Sequence, residues 1–147
     1  MKKIVNVNSV TETENFAFKL AKELVKDDII LLNGDLGTGK TVISKAICKF
    51  FNVSDTVISP TFNILKIYKT KDCRIQQILH FDLYRIKDKN ELINLGFYDY
   101  LNYDDSLILI EWPDFAYGLI DRPYFDVKII RDINNPNKRM IEYEKKS

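Results

Sequence analysis

Ile29-Ile30-Leu31-Leu32-Asn33-Gly34-Asp35-Leu36-Gly37-Thr38-Gly39-Lys40-Thr41 is the stretch around which the rest of the sequence can be ordered. Ile29 to Leu32 is an unbroken apolar run between Asp28 and Asn33. It predicts a strand buried on both faces, because a strand with one wet face would alternate. Gly34 to Thr41 then fits G-x-x-x-x-G-K-[ST], and three of the chain's 5 glycines fall inside it. From Lys40 to about Phe51 the residues Val42, Ile43, Ala46, Ile47 and Phe50 recur at helical spacing, so the glycines join a buried strand to the start of a helix. In that setting the backbone can curl so that successive N–H groups point inward, and the helix N-terminus adds its positive dipole. The result is a nest for phosphate, in which Lys40 reaches the β and γ phosphates of a nucleotide and the Thr41 hydroxyl ligates Mg2+. A chance glycine turn is the alternative, and the strand and helix flanking the motif argue against it.

Working outward, Lys3 to Val7 alternates as a short strand, and Ser9 or Thr11 with Glu12 or Glu14 three residues on has capping-box spacing. The helix that follows carries the apolar stripe Phe16, Leu20 and Leu24. Downstream, Phe62 to Tyr68 and Ile75 to Tyr84 read as strands joined through the charged turn Lys69 to Asp72. A short helix is expected over Asn90 to Leu95, ending at Gly96 in a left-handed cap. Leu107 to Ile110 is a second fully buried strand, and Tyr124 to Ile130 with Arg139 to Tyr143 form a hairpin around Asn134-Asn135-Pro136-Asn137. The pattern predicts an α/β sandwich with buried central strands and an antiparallel part added to one side.

The chain has 147 residues, the length of a single domain, and no repeat or linker divides it. Its 22 Lys+Arg against 21 Asp+Glu leave a formal charge of +1, too little to neutralise a run of phosphates on a nucleic-acid backbone. No apolar run approaches the ~20 residues that cross a bilayer, and Met1-Lys2-Lys3 is followed by only Ile4 and Val5 before Asn6. A cytoplasmic protein with no membrane and no DNA partner is expected. Its 2 cysteines stand far apart and its 1 histidine is His80, which excludes a disulfide framework and a Cys/His zinc site.

A phosphate loop needs an acid at the end of a neighbouring buried strand to hold Mg2+ directly or through water. Glu111, which closes Leu107 to Ile110, fits that position; a surface carboxylate at a strand end is the plainer alternative. Ser59-Pro60-Thr61-Phe62 follows the loop helix and could sense the γ phosphate with a hydroxyl, or be an ordinary loop before a strand. In His80-Phe81-Asp82-Leu83-Tyr84-Arg85, alternation puts His80, Asp82 and Tyr84 on one face. Residue pattern alone favours a solvated edge strand with a local ion pair there, and Arg85 as a surface residue over an arginine finger. Trp112-Pro113 sets a large ring beside Glu111, while core packing claims much of the group Phe97, Tyr98, Tyr100, Tyr103, Phe115 and Tyr117. No Asn-Lys-x-Asp follows to read guanine, so the expected nucleotide is ATP.

Gly34 to Thr41 as G-D-L-G-T-G-K-T, Ser59 to Phe62 as S-P-T-F, His80 to Arg85 as H-F-D-L-Y-R and Glu111 to Pro113 as E-W-P occur here in one order and spacing. Together they resemble the TsaE (YjeE) family, small ATPases of bacterial tRNA threonylcarbamoyladenosine (t6A) synthesis, over about Ser9 to Pro123. The resemblance implies a single P-loop ATPase domain over residues 1–147, a P-loop NTPase-like three-layer sandwich with parallel central strands. It implies ATP and Mg2+ as cofactors and the TsaD and TsaB proteins as partners, with tRNA reached only indirectly through the complex. Asp35, Leu36, Gly37, Thr38, Gly39, Lys40, Thr41 and Val42 would line the nucleotide, and Thr41 and Glu111 would hold the metal. Lys40 would match the phosphate lysine, Thr61 the switch hydroxyl, Glu111 the Walker-B-like acid, Asp82 a motif acid needed for activity and Trp112 an important aromatic beside the site. Thr38, Val42 and Asp99 depart from the commoner family residues, none at a proposed phosphate or metal contact.

Two other functions fit the residues. A small P-loop kinase would need arginines around an acceptor phosphate, and Arg74, Arg85, Arg122, Arg131 and Arg139 are scattered. A nucleotide-gated binding module would use ATP to order Ser59 to Phe62 and dock a partner without useful hydrolysis.

Overall fold

In the computed structural model, which describes Met1–Ser147, the elements run β1 (Lys3–Val7), α1 (Val10–Ala21), β2 (Ile29–Asn33), α2 (Lys40–Phe50), β3 (Leu65–Lys69), β4 (Gln77–Asp82), α3 (Lys89–Asn94), α4 (Phe97–Leu101), β5 (Ser106–Glu111), β6 (Tyr124–Arg131) and β7 (Arg139–Lys146). A 3₁₀ turn covers Tyr117–Leu119. The seven strands form one sheet in the order β1-β7-β6-β2-β5-β4-β3. Its centre, β6-β2-β5-β4, is parallel, and the outer pairings are antiparallel. The antiparallel part was expected on one side; it lies on both. The tight connection from β3 to β4 reverses the chain at one margin, as the Asn-Pro turn does at the other.

Helices cover both faces, which is why β2 and β5 are apolar at consecutive positions. Ile30, Leu32, Leu107, Leu109 and Val127 meet α1 and α2 through Phe16, Leu20, Ile43 and Ile47. Ile29, Leu31, Ile108, Ile110 and Phe81 meet α3 and α4 through Leu92, Phe97 and Leu101. Each such aliphatic side chain removed from water contributes about 1.5–3 kcal/mol. The result is a three-layer P-loop NTPase-like sandwich. No helix is long and apolar enough to cross a membrane.

Local signals explain most boundaries. Ser9, not Thr11, caps α1: its Oγ accepts from Glu12 N at 3.1 Å, while Glu12 Oε2 accepts from Asn8 N. Leu24 lies past the end of α1 yet stays in the core. Gly96 adopts φ 86 after α3, as expected, and starts α4, which is too short to show a period in sequence. Phe62 to Ile64 were expected in a strand. They form a turn in which Asn63 N and Ile64 N donate to Pro60 O, and Ile64 has φ 66. β4 is no solvated edge strand: it is paired on both sides, with Ile78 to Asp82 buried, and β3 forms the edge instead.

Candidate active site

The phosphate loop leaves the C-terminal end of β2, and β5 and β4 end beside it. Alternation along β5 sends Leu107, Leu109 and Glu111 to the face covered by α1 and α2, and along β4 sends Ile78, His80 and Asp82 the same way. Parallel register sets Asp82 opposite Glu111. Two acids on neighbouring strands therefore meet the first turn of α2, at the strand ends where open α/β sheets hold ligands.

A cavity of about 420 Å³ opens there, lined by Leu36, Gly39, Lys40, Thr41, Thr61, Asp82, Glu111 and Trp112 among others. The loop backbone requires glycine at two points. A Cβ on Gly34 would lie 2.7 Å from Thr38 Oγ1 and 2.8 Å from the Ile129 carbonyl, and Gly39 begins α2 at φ 119. No side chain caps α2, so the N–H groups of its first turn are free for an anion.

Lys40 Nζ donates to the carbonyls of Gly34 at 2.5 Å and Asp35 at 2.8 Å, and stands 4.1 Å from the centre of the Trp112 ring. Burial lowers its ammonium pKa below the ordinary value against the opposing pull of Glu111, Asp82 and Asp35, so a phosphate is the partner that best compensates its charge. Trp112 takes φ 56, a left-handed conformation that costs a non-glycine residue about 1–3 kcal/mol. The strained backbone turns its ring back over Lys40 and against Tyr84, 4.9 Å between ring centres.

Glu111 is 2% exposed. Its Oε2 accepts from Thr41 Oγ1 at 3.2 Å and its Oε1 lies 2.9 Å from His80 Nε2. Asp82 is equally engaged: Oδ2 accepts from Ser59 Oγ at 2.5 Å and Thr61 Oγ1 at 2.9 Å, and Oδ1 from Tyr84 N at 3.0 Å. Both hydroxyls spend their protons on Asp82, leaving their lone pairs for an electrophile.

The donor set suits Mg2+. Thr41 and Glu111 offer hard oxygens, and no cluster of three or more His, Cys, Asp or Glu could form an all-protein cage. One carboxylate, a hydroxyl, phosphates and waters is the usual Mg2+ arrangement.

Leu36, Gly37, Gly39, Lys40, Thr41, Val42, Thr61, Asp82, Glu111 and Trp112 line the cavity as expected, but Asp35 and Thr38 do not: Thr38 is buried and its Oγ1 donates to Asp35 O at 2.8 Å. Arg85 stands apart, its guanidinium 4.4 Å from the centre of the exposed Phe62 ring. Phe97, Tyr100, Phe115 and Tyr117 are in or against the second core, while Tyr98 and Tyr103 are exposed. Ser44 was missed, although it lies one turn after Thr41 on the same helix face. Arg131 and Arg139 were missed too: Arg131 Nη2 donates to Leu36 O at 2.7 Å and Arg139 Nη2 to Gly37 O at 3.4 Å. Only the β2–β6 pairing, Asn33 opposite Lys128, brings that hairpin over the loop, and no local pattern announces it.

The family model described as threonylcarbamoyl adenosine biosynthesis protein TsaE matches residues 7–141. The chain belongs to the TsaE family. It is 44% identical over 142 residues to a Rickettsia typhi protein named tRNA threonylcarbamoyladenosine biosynthesis protein TsaE, covering 96% of this chain and 94% of that one. A Mycobacterium tuberculosis protein of the same name is 29% identical over 126 residues, 83% and 75% of the two chains. The crystal structure of Bacillus subtilis YdiB superposes with a TM-score of 0.74 at 23% identity, over 97% of this chain and 84% of that one, and so supports the fold. The TsaE model match begins at Val7, before the helix that precedes the phosphate loop, and spans all four motifs.

Proposed function

We propose that this TsaE-family chain is an ATP-binding and hydrolysing accessory protein of t6A modification of tRNA, acting in the cytoplasm with TsaD and TsaB. The supporting observation is the convergence of Lys40, Thr41 and Glu111 on one cavity at the N-terminus of α2. Lys40 and the free N–H groups of α2 bind the β and γ phosphates. Mg2+, when bound, supplies neutralisation of phosphate charge between Thr41 and Glu111. Ser59 and Thr61, fixed by Asp82, present lone pairs toward the cavity, so the loop that carries them responds to what occupies it. Leu36, Ile58, Phe62 and Tyr84 are exposed around that loop and the cavity mouth, an apolar rim that suits a protein partner. A near-neutral chain that reaches tRNA through partners is consistent with that rim.

A kinase is less well supported, since Arg131 and Arg139 bind loop carbonyls and leave no cluster of free arginines for an acceptor. The test is ATP hydrolysis by the purified protein, alone and with TsaB and TsaD, with Lys40→Ala as control. Hydrolysis that rises with the partners and vanishes in the control is the expected result. Tight ATP binding without turnover in either condition would replace the ATPase by a nucleotide-gated binding module, and phosphorylation of an acceptor would restore the kinase.

A further inference from the structure

His80 is fully buried on β4, and its ring lies beside Glu111 and near Tyr68, whose ring centre is 6.3 Å away. Nε2 stands 2.9 Å from Glu111 Oε1, and an ionised carboxylate only accepts, so Nε2 carries the proton and donates. Nδ1 has no partner at all. Packing alone would be served better by an aliphatic residue such as Ile78, two positions back on the same face, which leaves no buried nitrogen unpaired. The ring's one polar contact is with Glu111.

That contact divides the carboxylate. Oε1 is held by His80 and shares the single proton of Ser44, whose Oγ lies 3.1 Å from both Oε1 and the Lys40 carbonyl. Oε2 has only Thr41 Oγ1, at 3.2 Å, on the cavity side. We infer that His80 is the positioning residue of Glu111: its Nε2–H anchors Oε1 inside the sheet and so fixes Oε2, beside Thr41, as the oxygen presented to Mg2+. The inference rests on the proposed Mg2+-nucleotide site. Hydrogen-bond partners of a metal-ligating carboxylate orient it, and their loss typically weakens metal binding 10- to 100-fold.

Two measurements test it. The chain has 1 histidine, so the ring nitrogens can be assigned by 15N NMR in the ligand-free protein without any variant. A protonated Nε2 whose hydrogen exchanges slowly is expected; the Nδ1–H tautomer overturns the inference. Calorimetry with a non-hydrolysable ATP analogue, with Mg2+ and with EDTA, then compares wild type, His80→Gln and His80→Leu. Gln can still donate to Oε1, whereas Leu fills the space without a donor. In EDTA all three should bind within about threefold of one another, while the Mg2+-dependent gain falls by about tenfold or more in His80→Leu and largely survives in His80→Gln. An unchanged gain in His80→Leu overturns the positioning role and leaves the nucleotide site standing. A wild type that fails to bind the analogue even with Mg2+ overturns the nucleotide site, and with it the role of His80 there.

Discussion

Asp82 shows how one carboxylate at the cavity can hold two hydroxyls of a loop. Ser59 and Thr61 both donate to Oδ2 while Tyr84 N donates to Oδ1, so the acid is a latch whose acceptor capacity is largely used. Asp82→Asn keeps the shape but introduces an NH2 that cannot accept from the hydroxyls. Steady-state kinetics with the partners present should show kcat falling about 100-fold, the cost of a small misplacement at a reacting centre, with KM for ATP changed by less than about threefold. A latch of no consequence would leave kcat intact. Gly34 sets a different limit, because a methyl there would press on both Thr38 Oγ1 and the Ile129 carbonyl. Gly34→Ala should cost about 1–3 kcal/mol of stability, read as a lower denaturation midpoint, since backbone of β6 cannot yield as a flexible side chain could.

At the level of elements, the parallel strands and the loop helix were legible because their signals are local: Ile29 to Leu32 and Leu107 to Ile110 read as doubly buried strands, and Gly34 to Thr41 marks the strand-to-helix junction. What was not legible depends on pairing. His80-Phe81-Asp82 alternates like an edge strand, and only its insertion between β3 and β5 buries His80 against Glu111. The same holds for the β6–β7 hairpin, whose sequence offers no chemistry until its register with β2 carries Arg131 to the carbonyl of Leu36. That bond ties the phosphate loop's backbone to the hairpin, so the arginine restrains the loop that carries the nest. Arg131→Ala should therefore weaken ATP binding by about 3- to 10-fold, an increase of roughly 1 kcal/mol in binding free energy. Its guanidinium donates at an exposed position, so the thermal midpoint should stay within about a degree or two. Equal losses in midpoint and affinity would make Arg131 a general stabiliser of the hairpin.

For the molecule as a whole, the site belongs to one of two cores. α2 joins the loop to the α1–α2 layer, and Cys48, on that helix, is completely buried in it, whereas Cys73 is exposed in the β3–β4 turn. Burial pushes the Cys48 thiol from 9.0 up to about 12, and the thiolate is the reacting species. The unfolded chain releases that proton first, so this group's contribution to stability is intact below pH 9.0 and declines as pH rises toward about 12. At pH 8 a thiol reagent should modify the exposed Cys73 directly and reach Cys48 only when α2 leaves the sheet. A nucleotide gripped by the first turn of α2 binds the closed state alone. At 100 times its Kd it should slow Cys48 labelling by about 100-fold, or about 2.7 kcal/mol, without affecting Cys73. Mass spectrometry of the two cysteine peptides gives both rates in one sample. If ATP protected neither thiol while still binding, then opening at Cys48 would not require release of the phosphate loop, and α2 would behave as two separable halves.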